Sequence, residues 1–479
     1  MNKLLFLSLL LILTITCQRN KTNPSIPCEF IEGLVSTSEF QCGKIIVPEN
    51  HDDPNGKKIQ ISYIVLYAKD TGSKAYPMIY LSGGPGGASL TAGRIDTWLK
   101  HPIREKRDII LLDQRGIGYS SGLPNMHVEL YNIMAKDANE AEEQSMMKEL
   151  IASYKQKCKD LNIQLQHYNT FQNAKDVGML MKHLDYEKYN LYGVSYGTRL
   201  GRVIQDMNPD YLKTVILNSP NPIVGDLLID RLKSYSLALE RIFKYCEKDN
   251  NCHTEYPVLK EDYLSVINSL EQNPLEIDMD GKPFFVNAQD GVYFLRRKMY
   301  GEDSRTKVPS LIVEYQDGGG PIIKDLIAND FQSNYNFSMW LAVERYEMFN
   351  PENTSEVIEK IYETLPLLPV KLGFFSSVYL ALEDWHDVSL SEDKKIFQMS
   401  SVPTMITVNH FDPVTPPENG HILMNKLTNG QLFILDEGGH GGGDVECRNK
   451  VMIAFMDDPD GNLDTSCLNI YEIDGPPTR

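Results

Sequence analysis

Residues Gly193-Val194-Ser195-Tyr196-Gly197 form a G-x-S-x-G pentapeptide between an apolar run, NLY, and a helix-forming stretch, TRLGRVIQDM. In that context the serine sits on a sharp strand-to-helix turn in a strained backbone conformation, and the glycines leave room for the turn. Oγ is then presented at the carboxyl end of a sheet, at the positive end of the following helix. The chemistry expected of Ser195 is nucleophilic attack; the plainer reading is a chance turn. A second match, Gly118-Tyr119-Ser120-Ser121-Gly122, runs into Pro124 and polar residues instead of an apolar helix, so Ser120 is read as a loop residue.

A serine needs a base, and the base needs an orienting carboxylate. Asp412 follows an apolar run at 402–408. His440 lies in Gly438-Gly439-His440-Gly441, just beyond the next run at 431–435. The 28 positions from one to the other hold one helix and one strand, as adjacent core strands require. Of the ten histidines only His440 has this placement; His410 and His421 are read as loop or surface residues. The expected triad is Ser195, Asp412 and His440, in the order nucleophile, acid, base. For the oxyanion, one backbone N–H belongs to Tyr196. The other is expected from the loop Ser82-Gly83-Gly84-Pro85-Gly86-Gly87, which follows an apolar run ending at Leu81. A phosphate-cradling role for that loop lacks both G-x-x-x-x-G-K-[ST] and G-x-G-x-x-G.

These residues need a scaffold that holds strand ends side by side. Strands are expected over 58–69, 77–81, 108–112, 189–192, 214–217, 402–408 and 431–435, and helices over 139–161, 173–184 and 198–207. Such alternation argues for an α/β fold with a mostly parallel sheet covered by helices on both faces. From 222 to 399 the pattern turns to helices such as 230–245 and 259–270, with Gly- and Pro-rich breaks. The core is therefore expected in two parts, 28–221 and 400–479, around a mainly helical insertion.

Across 479 residues, 42% are hydrophobic and 23% charged, which excludes a disordered or low-complexity chain. A net charge of −18 repels phosphate backbones and argues against a nucleic-acid partner. The first 16 residues, a basic start and a mostly apolar run, suit a signal peptide and are short for a membrane span of roughly 20 residues. Residues 17–27 read as a polar tether. Cys17, straight after the apolar run, resembles the lipid-attachment cysteine of bacterial lipoproteins, although Ile15 and Thr16 depart from the usual small pair. A lipid anchor at Cys17 and a plain signal peptide are both open. Either way export is expected, to the periplasm, a membrane anchor or the medium. In such an oxidising compartment Cys28–Cys42, Cys246–Cys252 and Cys447–Cys467 become plausible short-range disulfides, with Cys158 left odd; spacing alone does not fix the connectivity. Neither C-x-x-C nor H-E-x-x-H occurs, so no metal site is expected; acyl transfer through a serine triad needs no cofactor.

GGPGG after a strand, DQRGIGYS at 113–120, GVSYGT at 193–198, DPVTPP at 412–417 and GGHG at 438–441 occur in that order. Together with CGKIIVPENHDDP, CEKDNNCHTEYP and the pair Cys447 and Cys467, they resemble the prolyl iminopeptidase and tripeptidyl aminopeptidase group of serine exopeptidases, which have the α/β-hydrolase fold. The resemblance runs nearly full length. It implies that Gly84 is the second oxyanion donor and that 222–399 caps the active site. It also implies that a cap carboxylate holds the substrate ammonium, within a stretch resembling AV-x-C-x-E. Here that stretch reads Ala342-Val343-Glu344-Arg345-Tyr346-Glu347, with Glu347 the candidate and Glu344 in reserve. Arg345 stands where the pattern has cysteine, and the later C-x-x-W stretch reads Leu382-Glu383-Asp384-Trp385, so a cap disulfide is lost. Arg345 is also placed to neutralise a neighbouring carboxylate, and the plainer reading of both glutamates is a charged helix face. Asp113 and Arg115 are expected to pair and brace the core. The function implied is an exported serine aminopeptidase that releases proline or short peptides from free N-termini through an acyl-enzyme, its partner a peptide or small acyl substrate. An esterase or amidase on the same scaffold, or an inactive binding protein, are the alternatives, and the intact triad weighs against the last.

Overall fold

The computed structural model describes residues 28, 37–302, 304–331, 335–371, 373–436 and 438–471. Cys17, the leader and the tether lie outside the described residues. The strands are β1 (Phe40–Pro48), β2 (Lys58–Leu66), β3 (Met78–Leu81), β4 (Ile109–Leu112), β5 (Tyr189–Val194) and β6 (Leu212–Asn218), then β7 (Leu275–Met279), β8 (Lys282–Val286), β9 (Thr404–Asn409) and β10 (Gly430–Leu435). Eight of them form one sheet in the order β1-β2-β4-β3-β5-β6-β9-β10. β2 is antiparallel to both β1 and β4, and every other neighbouring pair is parallel.

The central strands are short, apolar and buried on both sides, as parallel strands between helical layers must be. Alternate residues feed opposite faces. Ile79, Leu81, Ile110 and Leu112 enter one core, and Met78, Tyr80, Ile109 and Leu111 the other. The helix Tyr196–Met207 covers the first face with Leu200, Val203 and Ile204. The helix Val445–Asp457 covers the second with Val451, Met452 and Phe455. The helix Glu140–Asp160 begins at a capping box in which Asn139 and Glu142 satisfy each other's backbone N–H groups.

The insertion leaves the core after β6 and returns at β9. It is mainly helical, with one hairpin, β7–β8, that the sequence reading did not include. Asp280 and Gly281 both have positive φ, as a two-residue turn between twisted strands requires. Among the described residues no helix is long and apolar enough to cross a membrane. The three short-range disulfides are present, with Cα–Cα separations of 5.5, 4.9 and 5.7 Å, and Cys158 is a buried free thiol.

Candidate active site

Ser195 joins β5 to the helix Tyr196–Met207 with φ 55° and ψ −122°, a conformation that non-glycine residues rarely adopt. The turn closes because its neighbours lack side chains. A Cβ on Gly193 would stand 2.3 Å from the Gly197 carbonyl oxygen, and one on Gly197 would stand 2.0 Å from that of Leu81 in β3. The Ser195 N–H donates to Asn218 of β6 at 2.9 Å, and the Ser195 carbonyl accepts from the Thr198 N–H at 2.8 Å. The strain is therefore held by the sheet on one side and the first helical turn on the other.

Asp412 and His440 emerge beyond the carboxyl ends of β9 and β10. His440 Nε2 lies 3.0 Å from Ser195 Oγ, and Nδ1 lies 2.8 Å from Asp412 Oδ2. Asp412 is fully buried and accepts from the N–H groups of Val414 and Thr415 and from Thr415 Oγ1, each at 2.8 Å. Burial pushes the Asp412 carboxyl up, but the His440 imidazole and these donors outweigh it and hold it below its ordinary range. For His440 burial pushes down, and the charge and hydrogen bond of Asp412 prevail, so its pKa lies above the usual histidine value. The pair is tuned to keep Asp412 ionised and to favour a proton on His440.

The histidine loop is fixed by groups absent from the sequence reading. Asn409 Nδ2 donates to the carbonyls of Gly439 and Gly442 at 2.7 and 2.9 Å. From the cap, Met299 accepts from the His440 N–H at 3.3 Å and Gly301 accepts from the Gly439 N–H at 2.7 Å. The Tyr300 ring lies 5.0 Å from the imidazole.

Tyr196 opens its helix, so its N–H belongs to the first turn, where donors have no intrahelical acceptor. The Gly83-Gly84 backbone runs against Ser195 so closely that a Cβ on Gly83 would stand 2.8 Å from Ser195 Cβ. Gly84 has φ +123°. Ser195, His440, Gly83 and Gly84 line a cavity of about 360 Å³ whose other walls include Tyr335, Phe337, Trp340, Phe374 and Phe375 of the cap. Among charged groups it is lined by Arg94, Arg231, Arg296, Arg297 and one carboxylate, Asp330. Asp330 accepts from Arg297 Nε at 2.7 Å and Tyr293 Oη at 2.5 Å. None of the four cavity arginines or Asp330 was singled out from the sequence. Among the described residues no cluster of side chains suits a metal ion.

The cap glutamates do not present carboxylates to this cavity. Glu347 is 1% exposed, pairs with Arg199 at 3.0 Å and accepts from the Thr170 N–H and Oγ1 at 2.7 and 2.8 Å. Glu344 pairs with Arg199 at 3.3 Å and with Arg231 at 3.5 Å. The expectation that Glu347 or Glu344 holds a substrate ammonium is corrected accordingly: both oxygens of Glu347 are used inside the protein, and Glu344, whose Oε1 has no hydrogen-bond partner among the described residues, is fully buried and off the wall of this cavity. Arg345 neutralises neither. Its Nε donates to the Leu382 carbonyl at 3.0 Å and its Nη1 to Ser389 at 2.8 Å, so a hydrogen bond joins the two positions where the pattern has cysteines.

Asp113 and Arg115 brace the core separately rather than as a pair. Asp113 accepts from the N–H groups of Ser89, Leu90 and Tyr119. Arg115 makes a two-pronged contact with Asp176, at 2.8 Å for each nitrogen, and caps the carbonyls of Pro48, Glu49 and His167. Ser120 is a loop residue, its Oγ tied to the Asp113 carbonyl at 2.5 Å.

Residues 76–259 match the family described as alpha/beta hydrolase fold, and residues 380–467 match that described as TAP-like protein. Most of the cap lies between the two. The chain is similar to a tripeptidyl aminopeptidase of Streptomyces lividans, 28% identical over 191 residues, which is 38% of this chain and 35% of that protein. The matched stretch thus spans about a third of that relative's length. It is also similar to serine protease Hip1 of Mycobacterium tuberculosis, 24% identical over 427 residues, covering 82% of this chain and 80% of the relative. A putative hydrolase, YuaR, of Escherichia coli is 23% identical over 320 residues, 64% of this chain and 60% of that one.

Proposed function

The chain belongs to the α/β-hydrolases and carries a TAP-like C-terminal region, and from that premise we propose an exported serine peptidase of the aminopeptidase type. It releases proline or short peptides from free N-termini through an acyl-enzyme. The observation that carries this reading is the hydrogen-bond chain from Asp412 through His440 to Ser195 at a cap-walled cavity. The similarity to a tripeptidyl aminopeptidase and a serine protease supports it.

In the reaction His440 Nε2 takes the Oγ proton as Ser195 attacks the carbonyl, while Asp412 orients and stabilises the imidazolium. The N–H groups of Gly84 and Tyr196 receive the developing oxyanion, each typically worth about 3 kcal/mol. His440 then protonates the leaving amine, and water, activated by the same imidazole, releases the acyl group. The three disulfides support an oxidising compartment. Cys17 carries a lipid if metabolic labelling with an alkynyl fatty acid marks the wild type and not Cys17→Ala.

A second reading, an amidase or esterase indifferent to the amine, is favoured by the internal pairing of Glu344 and Glu347. One proline-containing tripeptide anilide, with its amine free and then acetylated, separates the two, with Ser195→Ala as control. Cleavage of the free form alone supports the aminopeptidase; similar rates for both overturn it in favour of the second reading.

A further inference from the structure

Arg296 lies on the helix Ala288–Lys298 and lines the same cavity as Ser195 and His440. It is 1% exposed, yet its Nε and Nη2 have no hydrogen-bond partner among the described residues. A buried guanidinium left this way is costly, because its charge has lost water and gained no acceptor. Its neighbours are aromatic: the Phe375 ring centroid at 5.1 Å and that of Tyr300 at 6.0 Å. These faces balance part of the charge and leave the two nitrogens without an acceptor.

Among the described residues the nearby carboxylates are paired with other arginines. Asp330 serves Arg297, Glu347 serves Arg199, and Glu344 is shared between Arg199 and Arg231. Among the described residues Arg199, Arg231 and Arg297 thus have carboxylate partners and Arg296 has none; Arg94, the other arginine on the cavity wall, donates to Tyr80 Oη at 2.8 Å. Arg231 reinforces the charge of Arg296, since its guanidinium sits 5.2 Å from the same Phe375 ring. Tyr300, between Arg296 and the catalytic imidazole, reports the field. Burial pushes its phenol up, but Arg296, Arg297, His440 and Arg231 bring it down to about 8.

We infer that Arg296, flanked by Arg231, is an anion subsite that receives a carboxylate carried by the acyl part of the substrate, two N–H donors meeting the carboxylate oxygens. The inference rests on the proposed acyl transfer to Ser195 and narrows its substrates to acidic ones, such as short peptides whose released segment bears an aspartate or glutamate side chain. Arg296 determines specificity and takes no part in bond making.

The test compares 4-nitrophenyl hydrogen glutarate with its neutral methyl ester, alongside calorimetric titration of the enzyme with glutarate and with glutaramide. The expected kcat/KM ratio favours the anionic ester by at least about tenfold, as a charge-assisted hydrogen bond allows. Arg296→Gln should bring that ratio close to one with the neutral ester still hydrolysed, and Arg296→Lys should restore part of it. Glutarate should bind the wild type while glutaramide does not. Should Arg296→Gln fail to fold, the wild-type ester ratio and the titration still decide. Equal rates for the two esters, equal binding of the two titrants, or an unchanged ratio in a folded Arg296→Gln would overturn the subsite. Ester preference without cleavage of any peptide anilide would remove the peptidase reading and leave the subsite standing. Peptide cleavage without ester preference would do the reverse.

Discussion

The Gly301 N–H donates to the His440 carbonyl at 3.1 Å, so a residue of the cap holds the loop that carries His440. With Met299 accepting from the His440 N–H, the contact is a short ladder between insertion and core. The cap thereby holds the His440 loop as well as walling the cavity.

Gly439→Ala tests that ladder. Its new Cβ would stand 1.5 Å from the Met299 carbonyl oxygen, so cap and loop must separate. A misplacement of about 1 Å can cost about 100-fold in rate, and a kcat loss of that order is expected with the variant still folded by circular dichroism. An unchanged kcat would mean that the ladder does not position His440.

Asp412→Asn keeps the shape of the site and removes the charge that favours imidazolium. By analogy with other serine triads kcat should fall about 10⁴-fold. Steady-state hydrolysis of an activated ester measures this, and a loss below tenfold would remove Asp412 from the triad.

The pH profile follows from the direction of the His440 shift. In the proposed reaction neutral imidazole is the base, and against the downward push of burial Asp412 raises its pKa above the ordinary value of about 6.5. Activity is therefore absent at low pH and rises through that raised pKa, so the acid limb of kcat/KM should have its midpoint above about 6.5. A midpoint below 6 would contradict the Asp412–His440 coupling.

Glu347→Ala should act on stability and leave amine recognition untouched. Removing one member of a buried ion pair costs about 3–5 kcal/mol, and Arg199 keeps Glu344, which favours the lower end. Denaturant unfolding measures the loss. The ratio of rates for free-amine and acetylated substrates should stay as in the wild type; its collapse would restore Glu347 as the ammonium ligand.

The grouping of Ser195, Asp412 and His440 was legible because each follows a strand and sits in a local signature: G-x-S-x-G at Ser195, a carboxylate after 402–408, glycines around His440. Local spacing also led to the three disulfides. What escaped was long-range. Glu347 looks like a helical charge until Arg199, 148 positions earlier, is brought beside it. Arg296 reads as one of the basic residues that commonly end a helix, in the run Arg296-Arg297-Lys298. Asp113 and Arg115 lie two positions apart, yet a backbone nest takes one and Asp176 takes the other. The Asp280-Gly281 turn was a readable hairpin signal, overlooked among the helical patterns of the insertion. β1 gives a weaker signal, since its burial pattern does not alternate cleanly.

If His440 activates Ser195 as a nucleophile, covalent labelling of the serine must depend on both residues. Intact-mass spectrometry after treatment with a fluorophosphonate should find one adduct, on the peptide containing Ser195, in the wild type and none in Ser195→Ala or His440→Ala. An adduct of equal yield in His440→Ala, or labelling that persists in Ser195→Ala, would contradict the account.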